Sequence, residues 1–505
     1  MAVISTGDAL IGGVLLSTAY VLCLCIYRLF LSPIAHIPGP TLAKLTFWYE
    51  FYYDAIKRGQ YVWKIDELHK KYGPIVQVSP EEVHIRDPDF YDEIYSGAGK
   101  KRNKWLRLNS GLGMQEALLC TTDHDLHRKR RGALNPFFSK QKVRSLQPDI
   151  LVVIETLMNR FEGFGRTGEP LSVTDAFAAL TYDVVYDYSF GFNRGHISKP
   201  DFAPGFRNVS QRGAQIGHVG KAFPWLLSLI ESLPDSIALK LEPDFAALAQ
   251  AHQDVENECA KVYNAHANGT DKSSQATIFH EVINNPNVPE SEKLPKRLWQ
   301  DGYVVVVAGT LTTADALSWS VYAMLTNPES FRKLKDELLA VMPHATSPVP
   351  TVDELEKLPY LVAVIAEALR LSNGVTLREP LIDPERPMVY TGKDNKQILF
   401  PNPHKFMPER WILGSNAPQA NPKHFAPFLR GSRMCLGINL AYAEMYLTLA
   451  TIFRRYGSRE VQDPGDKGWL ELFDFDFNRD LKLVGDGAVP LYSTKSRGVR
   501  VTVRK

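Results

Sequence analysis

At 505 residues the chain is long enough for roughly two to four domains and for a core that encloses a large cofactor. A net charge of +2, with 23% charged residues, excludes a strongly acidic ligand or nucleic acid as a partner of the whole surface. The five cysteines (Cys23, Cys25, Cys120, Cys259 and Cys435) are too scattered for a disulfide framework, and the lack of any C-x-x-C pair argues against structural zinc.

The first predicted element is the uncharged run Ala9–Tyr27, closed by Arg28. As a helix it spans about 28 Å, close to the thickness of a bilayer core. A cleaved signal peptide needs basic residues before the apolar run, and Asp8 stands there instead. The basic residues Arg28 and Lys44 follow the run, which places the N-terminus outside or in the lumen and the body in the cytosol. The expected division is a short lumenal N-terminus over 1–8, a transmembrane anchor over 9–31, a proline-rich hinge over 32–44 (Pro33, then Pro38-Gly39-Pro40) and one catalytic domain over 45–505. With the body in the cytosol, the glycosylation sequons at Asn208 and Asn268 go unused.

Residues 60–95 read as a short helix and then strands, with turn signals at Tyr72-Gly73-Pro74 and Val78-Ser79-Pro80. From about 120 to 340 the pattern is mostly helical. It includes a long segment over Leu298–Asn327 that stops at Pro328, followed by an amphipathic helix over Glu329–Met342. A further helix is expected over Leu355–Leu371, an irregular proline-rich stretch over 374–411, a helix over Leu436–Tyr456, and strands in the tail from Asp474 to Val503. The sum is a mainly α fold with a smaller β-rich portion.

Four constellations carry chemistry. His127 to Arg131 is a run of five basic or imidazole side chains. Arg128, Lys129 and Arg130 read as a solvated face or a docking surface for an acidic partner, while His127 and Arg131, one turn apart, suit a shared carboxylate. On the long helix, Ala308 and Gly309 remove side-chain bulk so that a flat ligand can lie on the backbone, and Thr312 adds a hydroxyl one turn on. Glu367 and Arg370, three apart on a helix, pair on one face, and Arg410 of Pro408-Glu409-Arg410-Trp411 is expected to join them in a structural network. The most informative stretch is Phe428-Leu-Arg-Gly431-Ser-Arg433-Met-Cys435-Leu-Gly437, a cysteine held between two glycines with an arginine two residues before it. Backbone N–H groups in such a turn stabilise a thiolate, and Arg433 pairs with a carboxylate. That is the setting of a haem iron with a cysteine axial ligand.

Together, and in this order, these residues resemble the cytochrome P-450 superfamily of haem-thiolate monooxygenases, over nearly the whole chain from Pro38 on. The anchor and hinge are similar to the microsomal branch. The wording of Leu134-Asn-Pro-Phe-Phe-Ser139 and of Pro408–Trp411 is most similar to fungal members of secondary metabolism, such as trichodiene oxygenase-like enzymes. The resemblance implies haem b, with Cys435 as the iron's axial ligand and, with Thr312, as a catalytic residue. It implies Arg433 and Arg131 as propionate ligands, His127 in the place of a tryptophan, and Phe428 as the aromatic shielding the sulfur. Ala308 and Gly309 form the distal face. It also implies an NADPH-cytochrome P-450 reductase, O2, membrane lipid and an apolar small molecule, a terpenoid or polyketide intermediate, as partners, and the endoplasmic reticulum membrane as location. Cavity candidates are Val305 to Thr312, Gly374 to Thr376 and the loop Leu106–Leu119.

Two departures stand out. Leu311 occupies the position where the family has an acid before the distal threonine. Between Glu367 and Cys435 the chain is short, with Gln397 running into Ile398 where relatives carry a strand pair. These leave two other expectations open: a haem-dependent isomerase, dehydratase or peroxygenase, and an inactive shortened haem protein.

Overall fold

The computed structural model describes residues 6–97, 99–110, 114–231, 237, 240, 245–270, 276–392 and 399–505. The chain forms two compact units, one of residues 1–91 with 389–396 and one of residues 92–388 with 397–505. The junction Gln397–Ile398 and part of the Leu106–Leu119 loop lie outside the described residues.

In the first unit, α1 (Thr6–Ile26) runs on through the wider turn Tyr27–Leu31. Its apolar side chains have no core to enter. None of Leu10–Leu31 is buried in the structure, and it is long and apolar enough to cross a bilayer. Helix α2 (Tyr61–Tyr72) buries Tyr61, Ile65 and Leu68 at helical spacing and ends at Gly73, whose φ of +96° is open only to glycine. The strands expected here are β1 (Ile75–Gln77) and β2 (Val83–Ile85), which pair antiparallel with Val76 opposite His84. The proline segment is held rather than loose. The Gln77 N–H donates to the Pro38 carbonyl (2.8 Å), and a Cβ on Gly39 would overlap the Gln77 carbonyl oxygen.

The second unit opens with the short strand β3 (Asn103–Lys104). Helices α3 (His124–Leu134) and α4 (Gln147–Thr167), strand β4 (Leu171–Ser172), α5 (Val173–Phe190), α6 (Gly205–Ala222) and α7 (Phe245–Ala267) follow. Helix α8 (Pro295–Thr326) lies against α5 at the centre of the core. Pro295 at its first turn costs no hydrogen bond, and Leu298, Val306, Leu311, Leu317 and Val321 are all buried. Its apolar length is therefore that of a core helix, since most of it is buried in protein. Helix α9 (Pro328–Val341) follows at once.

The helix expected over Leu355–Leu371 divides into a turn at Val352–Leu355 and α10 (Pro359–Ser372). The cause is local. Thr351 and Glu354 cap the short turn reciprocally, and Pro359, with no N–H to donate, opens the second helix. Strand β5 (Leu381–Ile382) pairs with β3. Helix α11 (Ile438–Arg455) leads into β6 (Tyr456–Ser458) and β7 (Gly468–Leu472). A hairpin of β8 (Gly485–Gly487) and β9 (Val489–Leu491) follows, and β10 (Arg500–Arg504) closes a four-stranded sheet in the order β4-β10-β7-β6. The mainly α architecture with a small β portion matches the expectation.

Candidate functional site

The Cys435 loop is closed by its own backbone. The Cys435 N–H donates to the Phe428 carbonyl (2.9 Å), and Gly431–Arg433 makes a single tight turn between them. Gly431 sits at φ +70°, and any Cβ there would overlap the carbonyl oxygens of Tyr95 and Ser96. The Ser432 N–H donates to that same Ser96 carbonyl (3.2 Å). Glycine is required here because another part of the chain occupies the space of a side chain. Two residues after Cys435, Gly437 caps α11, so the sulfur sits near the positive end of an 18-residue helix.

Arg433 is buried, and its terminal nitrogens donate to four backbone carbonyls: Thr121 (2.7 Å), Thr122 (3.0 Å), Arg102 (3.2 Å) and Asp123 (3.4 Å). Its Nε is buried without a partner among the described residues. Burial pushes the Arg433 guanidinium down to about 10. Asp123 caps α3, which presents His127 and Arg131 one turn apart. Arg131 donates to the Met434 carbonyl (2.6 Å), and its charge acts on Cys435. Burial, then the charges of Arg433 and Arg131, push His127 down to about 2, so its imidazole is neutral. The Phe428 ring packs on Tyr442 of α11 at 5.1 Å between centroids.

Cys435 itself is exposed, although its sulfur lies deep among protein atoms. Burial pushes the thiol up, while the Gly437 N–H and Arg131 work in the opposite direction. Left alone, the group stays a thiol at neutral pH; coordination to a metal removes the proton.

Along α8, Ala308 is exposed and Thr312 half-buried, in a stretch whose neighbours are otherwise largely covered. The Thr312 hydroxyl donates one turn back to the Ala308 carbonyl (2.8 Å). Gly309 serves a different neighbour from the one expected. A Cβ there would meet Val185 of α5 at 3.0 Å, so the missing side chain lets two helices approach, and Ala308 alone carries the small, open face. A Cβ on Gly374, in the loop after α10, would lie 3.6 Å from the Thr312 Cβ. That loop is tied to the β8–β9 hairpin: the Thr376 hydroxyl donates to Asp486 (2.6 Å) and its N–H to the Ala488 carbonyl (3.1 Å). Sequence reading missed the hairpin's part, although Gly485-Asp486-Gly487 is a turn signal.

The Glu367 network is present and larger than expected. Arg370 makes two bonds to Glu367 (2.9 Å each), and Arg410 bonds Oε1 at 3.0 Å. The Met407 N–H and the Trp411 indole N–H add two more at 2.9 Å each. Trp411 was not foreseen as a donor. Arg130 also departs from its expected solvated place. It is buried, donates to Glu292 (2.6 Å) and to the Thr121 hydroxyl (2.8 Å), and so braces the segment that receives Arg433, whereas Arg128 and Lys129 are exposed.

A family model described as cytochrome P450 matches residues 38–383 and 387–469. The chain belongs to the cytochrome P450 family. A cytochrome P450 monooxygenase, tpcC, of Cochliobolus heterostrophus is 44% identical, with 96% of this chain and 95% of the relative aligned. An N-acetyltryptophan 6-hydroxylase, ivoC, of Emericella nidulans is 38% identical over 87% of this chain and 89% of its own. A tryptophan 6-hydroxylase, fscE, of Fusarium equiseti is 37% identical over 95% and 94%. The P450 is thus an oxidoreductase that incorporates oxygen from O2 into a substrate, with haem b bound through a cysteine thiolate. The residues present fit that group. An accessible sulfur at a helix N-terminus is flanked by Arg131 and Arg433, and Arg433 keeps an unspent buried Nε. The alignment with tpcC spans 508 positions while covering 96% of this 505-residue chain, so the relative carries residues that this P450 lacks.

Proposed function

We propose that Cys435 is the axial thiolate of a membrane-anchored monooxygenase that inserts one oxygen atom into an apolar small molecule of fungal secondary metabolism, by hydroxylation or epoxidation. The observation that carries this reading is the exposed residue Cys435 at the N-terminus of α11, in a loop closed by the Phe428 carbonyl and braced by the carbonyls of Ser96, Arg102 and Thr121–Asp123. Haem, when bound, supplies the redox chemistry. The chain's own residues do the rest. Arg433 and Arg131 offer charge to the propionates. Neutral His127, under the charges of both arginines, adds no third positive charge. Phe428 closes the loop around the sulfur, and Ala308 keeps the α8 face open. Thr312 offers its hydroxyl as the catalytic proton relay.

The two relatives named by substrate act on tryptophan and N-acetyltryptophan. Their names extend the substrate class beyond terpenoids and polyketides to aromatic rings. The division into a lumenal N-terminus over 1–8, an anchor over 9–31, a hinge over 32–44 and a catalytic domain over 45–505 is part of the same proposal. So are the endoplasmic reticulum, the cytosolic face and an NADPH-cytochrome P450 reductase as electron donor. The exposed apolar helix Leu10–Leu31 supports them. A second reading, an inactive shortened haem protein, rests on the segment that relatives have and this chain lacks. Expression with reductase and NADPH, followed by metabolite profiling, separates the two. An oxygenated product supports the first; a thiolate-type ferrous carbon monoxide spectrum with no turnover supports the second.

A further inference from the structure

The acid that precedes the distal threonine in relatives is Leu311 here, yet α8 carries another acid one turn further on. Asp315 lies three residues after Thr312 and seven after Ala308, so it falls near the same stripe of the helix as both, within one turn of the threonine side chain. The Tyr492 hydroxyl, just beyond β9, donates to Asp315 Oδ1 at 2.5 Å. The other oxygen, Oδ2, is buried and has no hydrogen-bond partner among the described residues. A carboxylate would leave that oxygen unsolvated, whereas a carboxylic acid places its proton there. The groups acting on Asp315 are Tyr492, which favours the ionised form through its hydrogen bond, and Arg207 of α6, which favours it through its charge. Arg207 is already paired with Asp175 of α5 at 2.8 Å. Burial outweighs both and pushes Asp315 up to about 7, so the group both holds and releases a proton at neutral pH.

We propose that Asp315 is the proton reservoir for Thr312, taking over from the α8 position that Leu311 has left without an acid. The proposal rests on the monooxygenase reading above. Monooxygenation consumes O2, two electrons from the reductase and two protons, and yields one oxygenated product and one water. Asp315 releases one proton from its carboxyl O–H to a water hydrogen-bonded to Thr312. The carboxylate left behind is held by the Tyr492 hydroxyl until solvent returns the proton.

The test uses haem-loaded full-length protein with microsomal reductase and NADPH and no added substrate. In that setting protons decide whether O2 leaves as peroxide, after two electrons, or as water, after four. In the native protein the peroxide fraction should rise as pH climbs through neutrality, because the reservoir empties. Asp315→Asn should give a peroxide fraction raised severalfold and flat with pH, and Tyr492→Phe should move the rise to higher pH. Infrared titration of the same protein reads the group without turnover: a buried carboxylic C=O band should fade on the alkaline side in the native protein and be missing from Asp315→Asn. Peroxide that follows the native pH curve in both variants, or a native protein without that band, overturns the reservoir. If Asp315→Asn does not fold, the Tyr492→Phe shift and the native infrared band decide alone. A ferrous carbon monoxide spectrum lacking the thiolate signature in the native protein would instead sink the monooxygenase reading, so the two failures are told apart.

Discussion

The loop around Cys435 and the middle of α8 are held by different kinds of contact. In the loop, distant backbone does most of the holding, with the Ser96 carbonyl under Gly431 and the carbonyls of residues 102 and 121–123 around Arg433, while the loop's own Phe428 carbonyl closes it on Cys435. On α8, the hydroxyls of Thr310, Thr312, Ser318 and Ser320 each bond back to their own helix. The loop is built to have one shape. These hydroxyls are satisfied within the helix itself, so they change without collapsing the fold. Substitutions in the loop should therefore abolish the site, and those on α8 should retune it.

The largest expected effect is at the sulfur. Cys435→Ala should remove the thiolate-type carbon monoxide spectrum and all turnover while circular dichroism stays native. A retained spectrum breaks the ligand assignment. Next is Glu367→Ala, which strands Arg370 and buried Arg410. Losing one partner of such a network costs about 3–5 kcal/mol, read as a large drop in thermal midpoint and in haem retention. Gly431→Ala should prevent loop closure for steric reasons and give protein that folds poorly or fails to bind haem, whereas Gly437→Ala, whose Cβ meets nothing within 4 Å, should be mild.

On the helix, Thr312→Ala should leave the spectrum and the thermal midpoint near native but divert electrons to peroxide. The smallest effect near neutrality is a pH dependence, which grows as the pH falls. His127 is held at about 2 when folded and titrates near 6.5 when unfolded, so the unfolded chain binds the extra proton. Its contribution is full above pH 6.5 and falls away as the pH drops below that value. His127→Phe should flatten this acid limb in urea titrations at graded pH.

Legibility followed the same divide. The cysteine loop, Glu367–Arg370 and Pro408–Trp411 were readable because their partners are close in sequence or fixed in order along the chain. Trp411 as a donor to Glu367, buried Arg130, the turn of Gly309 towards Val185 and the hairpin tie from Thr376 to Asp486 were not. Each depends on a neighbour 40 or more residues away, and no periodicity encodes which face of a helix meets which strand. The split before Pro359 was readable in principle, since proline at a first turn is a start signal that the apolar pattern overrode.

Arg433 reaches carbonyls more than 300 residues earlier in the chain. During synthesis the segment that receives it emerges long before the arginine does. The ligand loop is thus among the last parts to take shape, after the ribosome has delivered nearly everything else. Messages truncated ahead of Arg433 should yield protein with no haem colour, however well the earlier helices assemble.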